Sequence, residues 1–135
     1  MSSDSLPKAS IEGELALQTL AMPKDTNANG DIFGGWLVSQ MDLAAGIISK
    51  QVTKGRSATV AIQNVHFLKP VSMGSTVSCY FRVTKTGRTS VSIAVDVWTS
   101  PQLTHDNWLK VAEGQFVFVA IDDHGRPRPL PEPDA

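Results

Sequence analysis

One segment decides what this chain can become. Trp36 to Lys50, WLVSQMDLAAGIISK, contains no proline and follows the glycine pair Gly34-Gly35. Coiled as a helix, it carries Trp36, Leu37, Met41, Leu43, Ala44, Ala45, Ile47 and Ile48 around most of its circumference. Only Ser39, Asp42, Ser49 and Lys50 form a narrow polar stripe. A helix apolar nearly all round has to be enclosed by protein. Everything downstream alternates with a period of two, the pattern of strands with one buried face. A single helix must therefore be wrapped by sheet.

The strands can be read individually. SATVAIQNVHFLKP ends at Pro70. STVSCYFRVTK places Val77, Cys79, Phe81 and Val83 on one face, with Ser78, Tyr80, Arg82 and Thr84 opposite. TSVSIAVDVW repeats the pattern with Val91, Ile93, Val95 and Val97. WLKVAEGQFVFVAI loses its alternation around Glu113-Gly114, where a bulge is expected. Thr86-Gly87-Arg88 reads as a tight hairpin, and TSPQLTHDN as a longer connection between the final pair. Ahead of the helix, LALQTLAMP is a strand stopped by Pro23. The fold class is α+β: one long helix and a curved antiparallel sheet. The sheet's other face and its edges need cover, which such sheets commonly find by dimerising.

At 135 residues, 41% hydrophobic and 19% charged, the chain reads as one domain over residues 15–125. Residues 1–14 form a polar, flexible lead. Residues 126–135 form an extended tail with prolines at 127, 129, 131 and 133. A net charge of −1 gives no case for nucleic acid or an anionic membrane as partner. No apolar run approaches the roughly 20 residues of a membrane span. MSSDSLPKASIEGE lacks a signal peptide's apolar core, and the lone Cys79 allows no internal disulfide. A cytoplasmic protein is expected.

DTNANGDIFGGW, Asp25 to Trp36, opens like a calcium loop. Its twelfth position is Trp36 rather than the bidentate glutamate such a loop needs, and Met22-Pro23 precedes it in place of a helix. Another chemistry starts from Gly34-Gly35. Glycines at a helix start let a ligand approach unpaired N–H groups, which suit a phosphate or the oxygen of a polarised carbonyl. Asp42 lies about two turns further on, the only acidic residue between Asp31 and Asp96. A carboxylate on a largely apolar helix is costly unless paired or used. The residues alone leave two readings open: Asp42 as general base, or Asp42 with Ser39, Ser49 and Lys50 as the wetted stripe of a half-exposed helix. His66, His105 and His124 lack metal-ligand spacing, so no metal site is expected. No Gly-x-Ser-x-Gly elbow is present. Cys79, alternating with apolar neighbours, reads as buried and inert.

MPKDTNANGDIFGGWLVSQMDLAAG resembles the signature of hotdog-fold acyl-CoA thioesterases of the YciA type, relatives of the cytosolic and brown-fat-inducible acyl-CoA hydrolases. VHFLKPVSMGS, KTGRTSVSIAVDVW and FVFVAIDDHGRPRPLP are similar to the same family, so the resemblance runs from about Leu15 to Pro131. It implies a hotdog fold, hydrolysis of acyl-CoA to free acid and coenzyme A without any further cofactor, and dimers assembled into hexamers with active sites between subunits. It implies Asp42 as the catalytic aspartate, activating water or attacking directly. Gly35 would be the backbone donor to the thioester carbonyl, with Gly34 and Trp36 beside it. Asn29 and Asp31 would face Asp42 across the subunit boundary. Some relatives have a functional Asn where Asp31 stands. Coenzyme A carries phosphates, so Lys85, Gly87, Arg88, Thr89 and Ser90 of the hairpin, and Lys69, are the expected binding residues. Arg126 and Arg128 in the tail are weaker candidates. A non-catalytic hotdog module that senses acyl-CoA is the alternative. A hotdog dehydratase ranks last, because no His lies on or just before the helix.

Overall fold

The computed structural model describes residues 5–7, 10–100 and 107–132. Its elements are β1 (Ser5–Leu6), β2 (Glu14–Leu20), α1 (Gly34–Thr53), β3 (Ser57–Phe67), β4 (Thr76–Thr86), β5 (Ser90–Ser100) and β6 (Trp108–Ala120). All strand pairs are antiparallel, in the order β2-β4-β5-β6. β3 lies on the remaining edge of β6, and β1 pairs with the beginning of the same strand. The helix lies against one face of this sheet. The result is the expected α+β hotdog arrangement.

The helix is longer than its apolar core required. It starts at Gly34, after an extended Phe33, and stops at Lys54. Lys54 adopts a left-handed conformation (φ 56) and donates its N–H to the Lys50 carbonyl. Leu37, Met41, Ala44, Ala45 and Ile48 are spaced to share one face, and all are buried. They pack on Val91, Ile93, Val95 and Val97 of β5 and on Phe116 and Phe118 of β6. Full burial of each large side chain contributes about 1.5–3 kcal/mol, so this face fixes the helix to the sheet.

Several expectations are corrected. The helix is not enclosed by its own chain: Leu43 is 54% exposed and Ile47 is 38% exposed. The polar stripe is narrower than expected, because Ser49 is fully buried and its hydroxyl shares a 2.7 Å hydrogen bond with that of Ser57. The bulge expected at Glu113-Gly114 belongs to the neighbouring strand. Gln63 pairs with Gln115 and His66 with Glu113, so Asn64 and Val65 together face Gly114, and Asn64 takes a positive φ of 54°. The lost alternation in β6 comes from a second irregularity. Trp98 pairs with Lys110 and Val97 with Ala112, so Val111 is extra and both Val111 and Ala112 join the core. Val83 leaves its expected buried face; it is 42% exposed, beside a shift in the β4–β5 register.

The outer face of the sheet is partly covered from within. Tyr80, Trp98 and Trp108 form a second apolar cluster, closed by Ile11. The lead segment read as flexible is thus partly built into the fold, through Ile11 and the β1–β6 pairing. The hairpin between β4 and β5 is tight, as expected: the Gly87 N–H donates to the Ser90 carbonyl at 2.8 Å, with Arg88 and Thr89 at the tip. Most of the longer β5–β6 connection lies outside the described residues.

Candidate functional site

The loop before α1 is organised by Asn27. Its side-chain oxygen accepts the N–H groups of Asn29 (2.9 Å) and Asp31 (3.2 Å), while its own N–H donates to the Asp31 carbonyl (2.7 Å). This is a side-chain-closed turn, in which Asn27 serves the backbone of its own loop. Asp31 is half-buried and bridges to Ser72, whereas Asn29 is exposed. The loop and Phe67–Val71 enclose a cleft of ≈460 Å³, lined by Asn27, Asp31, Gly34, Phe67 and Lys69 among others.

The two glycines at the helix start differ. A Cβ on Gly34 would sit 2.9 Å from the Phe67 ring, so the ring takes the space a side chain would fill there. Gly35 is exposed, and a Cβ there would meet only the Phe33 ring at 3.4 Å. The Phe33 carbonyl accepts the N–H groups of Trp36 and Leu37. Among the described residues, the N–H groups of Gly34 and Gly35 have no acceptor. Trp36 is half-buried and packs against the core.

Asp42 lies on the α1 flank that faces β3. It is partly exposed, and the Thr59 hydroxyl donates to its Oδ1 at 2.8 Å. No other side chain among the described residues pairs with this carboxylate, which leaves Oδ2 available. Gly35 and Asp42 are seven residues apart. That separation puts them roughly 10 Å apart along the axis and within about 20° around it.

The hairpin residues lie at the other end of the helix. Gly87 and Arg88 line a second cleft, of ≈580 Å³, with Gln51, Val52, Lys54 and Pro129–Glu132. A Cβ on Gly87 would sit 2.7 Å from the Ser90 hydroxyl, so that side chain would have to turn aside. Thr89 and Ser90 are half-buried and Lys85 is exposed on β4. Lys69 does not join this group; it lines the cleft at the helix start. A helix of 20 residues spans roughly 30 Å, so one chain holds the predicted residues at three separate stations.

One residue escaped the sequence reading and another has a different part from the one expected. Thr59 is one of several β-branched residues in an alternating strand, and nothing local marks it as the partner of Asp42. Arg128 was a weaker candidate for the coenzyme A phosphates. Its guanidinium instead donates to three carbonyls, those of Ile121 (2.9 Å), Thr53 (3.0 Å) and Arg56 (3.1 Å). Cys79 is buried, as expected, and burial pushes its thiol pKa up to about 12. Among the described residues, no group of three or more His, Cys, Asp and Glu is placed to hold a metal ion. No helix there is long and apolar enough to cross a membrane.

Comparison with known proteins places this geometry. Residues 29–104 match the model of the thioesterase superfamily. The acyl-CoA thioester hydrolase YciA of Salmonella typhimurium is 50% identical over 122 residues, covering 89% of this chain and 92% of that protein. A hexameric thioesterase from Yersinia pestis superposes with a TM-score of 0.83 at 50% identity, over 90% of this chain and 98% of that one. A hexameric broad-specificity acyl-coenzyme A thioesterase, solved as an aspartate-to-alanine variant, superposes with a TM-score of 0.85 at 46% identity, over 89% and 88% of the two chains. The chain therefore belongs to the thioesterase superfamily and, within it, to the family of YciA acyl-CoA thioester hydrolases.

Proposed function

We propose that this protein hydrolyses acyl-CoA thioesters to a carboxylic acid and coenzyme A. The observation that carries the reading is a half-exposed carboxylate, Asp42, on the same side of α1 as the unpaired Gly35 N–H. In this reading, Gly35 donates to the thioester carbonyl and stabilises the charge that grows on its oxygen. Asp42, with one oxygen held by Thr59, takes a proton from water through the other. Water adds to the carbonyl carbon, the C–S bond breaks and the thiolate leaves as coenzyme A, so no further cofactor is required.

The active unit is a homo-oligomer. β3 is an 11-residue edge strand carrying exposed Val60 (58%) and Ile62 (45%). With Leu43 and Ile47 on the neighbouring helix, it presents apolar surface that a second copy covers. Pairing two copies there brings the loop of one chain, with Asn29 and Asp31, towards Asp42 of the other, and the hexameric relatives support further assembly. The hairpin Lys85–Ser90 binds the phosphates of coenzyme A, with Arg88 as the main cation. The substrate class and the unpaired Cys79 fit a cytoplasmic location.

The test is thiol release from a panel of acyl-CoAs. Asp42→Ala should lower kcat by about 100-fold or more, the scale of a positioned base. Hydrolysis that survives the substitution unchanged rejects Asp42. Tight binding of acyl-CoA by the wild-type protein with no turnover rejects the enzyme.

A further inference from the structure

The last described residues turn back on the molecule and are locked there. Asp122 closes a tight turn: its carboxylate accepts the N–H groups of His124 (2.8 Å) and Arg126 (3.0 Å), and its carbonyl accepts that of Gly125. The chain then runs back beside β6, with the Arg128 N–H on the Ala120 carbonyl at 2.9 Å. Two residues further on, the Leu130 N–H donates to the Arg88 carbonyl at 2.8 Å. Pro129–Glu132 thus become one wall of the ≈580 Å³ cleft whose opposite side carries Gly87 and Arg88.

One side chain holds this wall at its root. The Arg128 guanidinium reaches a different carbonyl with each nitrogen: Nε to Ile121, one terminal nitrogen to Thr53, the other to Arg56. The Thr53 carbonyl belongs to the last turn of α1, where unpaired carbonyls and the helix dipole favour a cation. A second observation concerns the space the group occupies. A Cβ on Gly55 would lie 2.7 Å from the guanidinium, and Gly55 has no positive φ to explain its identity otherwise.

We propose that Arg128, seated over Gly55, is a positioning residue that sets substrate affinity by fixing residues 129–132 as a wall of the coenzyme A cleft. This deepens the reading that the β4–β5 hairpin takes the nucleotide end of the substrate, and rests on it. The wall lies at the opposite end of α1 from Gly35, so it acts on KM and not on the chemical step. A lysine cannot replace the arginine, because one ammonium cannot span three separated carbonyls held by a planar fork.

The test compares Arg128→Ala, Arg128→Lys, Gly55→Ala and Leu130→Pro with wild type in acyl-CoA hydrolysis. Gly55→Ala displaces only the mobile end of a long side chain, so the fold survives while the seat is lost. Leu130→Pro deletes the bond to Arg88 and leaves the guanidinium in place. All four should raise KM about tenfold with kcat within twofold of wild type, and weaken the binding of free coenzyme A by a similar factor. If Gly55→Ala and Leu130→Pro leave KM within twofold, or if Arg128→Lys restores it fully, the proposal fails. Arg88→Ala separates this failure from that of the underlying reading. A raised KM in Arg88→Ala alone overturns only the role of Arg128. An unchanged KM in Arg88→Ala and in all four variants overturns the assignment of the cleft, and the proposal with it.

Discussion

Replacing Thr59 by valine keeps the shape and volume of the side chain and removes one hydrogen-bond donor. The donor is the only partner of the Asp42 carboxylate among the described residues, at 2.8 Å. A hydrogen bond to a charged group is worth about 1.5–3 kcal/mol. Thr59 is exposed and Asp42 partly so, which places this bond at or below the bottom of that range. About 1.4 kcal/mol of lost orientation corresponds to a tenfold lower kcat. Because the lost donor is exposed, stability should fall by no more than about 1.5 kcal/mol. The assay is thiol release at saturating acyl-CoA, with a thermal melt alongside and Thr59→Ser as the control that keeps the hydroxyl. In an Asp42→Ala background the valine substitution should have no further effect, since the group it orients is gone. A Thr59→Val enzyme with wild-type kcat, or an equal loss of rate in the presence and absence of Asp42, would refute the idea that Thr59 aims the carboxylate.

Other perturbations have equally definite outcomes. Gly13→Ala should destabilise the fold by about 1–3 kcal/mol in denaturant titration, because φ is +87° and the new Cβ would meet the Phe81 carbonyl oxygen at 2.7 Å. Cys79 should resist thiol reagents at pH 8 until the protein unfolds. Its folded pKa is raised from 9.0 to about 12, so its contribution to stability is complete below pH 9 and disappears as pH rises towards 12; Cys79→Ala should flatten that alkaline decline in a melting series. The hydrogen bond from Lys110 lowers the Glu113 pKa from 4.5, so its stabilising contribution is present above pH 4.5 and is lost as pH falls through the lower, folded value. Glu113→Gln should therefore weaken the acid dependence of the melting temperature below pH 4.5. Val60→Lys with Ile62→Lys should shift the assembly to smaller species in sedimentation, by placing charge on the exposed edge of β3.

Much of this molecule was legible in its sequence because the signals are local. The apolar run from Trp36 and the alternation of β4 and β5 follow from side-chain period alone, which also placed Val91, Ile93, Val95 and Val97 in the core and buried Cys79. Gly34-Gly35 marked the helix start, and the spacing from Gly35 to Asp42 fixed which side of the helix both occupy. What the sequence left undetermined depends on partners far along the chain. Register assigned the bulges to Asn64-Val65 and Val111 rather than to Glu113-Gly114, because pairing is a property of two strands. Ser49 looked like surface until Ser57, brought in by β3, took its hydroxyl. Gly34 read as an opening for a ligand and Gly55 bore no signal, and only the Phe67 ring and the Arg128 guanidinium show what stands beside them. Thr59 and Arg128 act through contacts 17 and 75 residues away, and no local pattern encodes an interaction whose other half lies that far off. Periodicity tells a residue which face it occupies; only the assembled sheet decides what stands opposite.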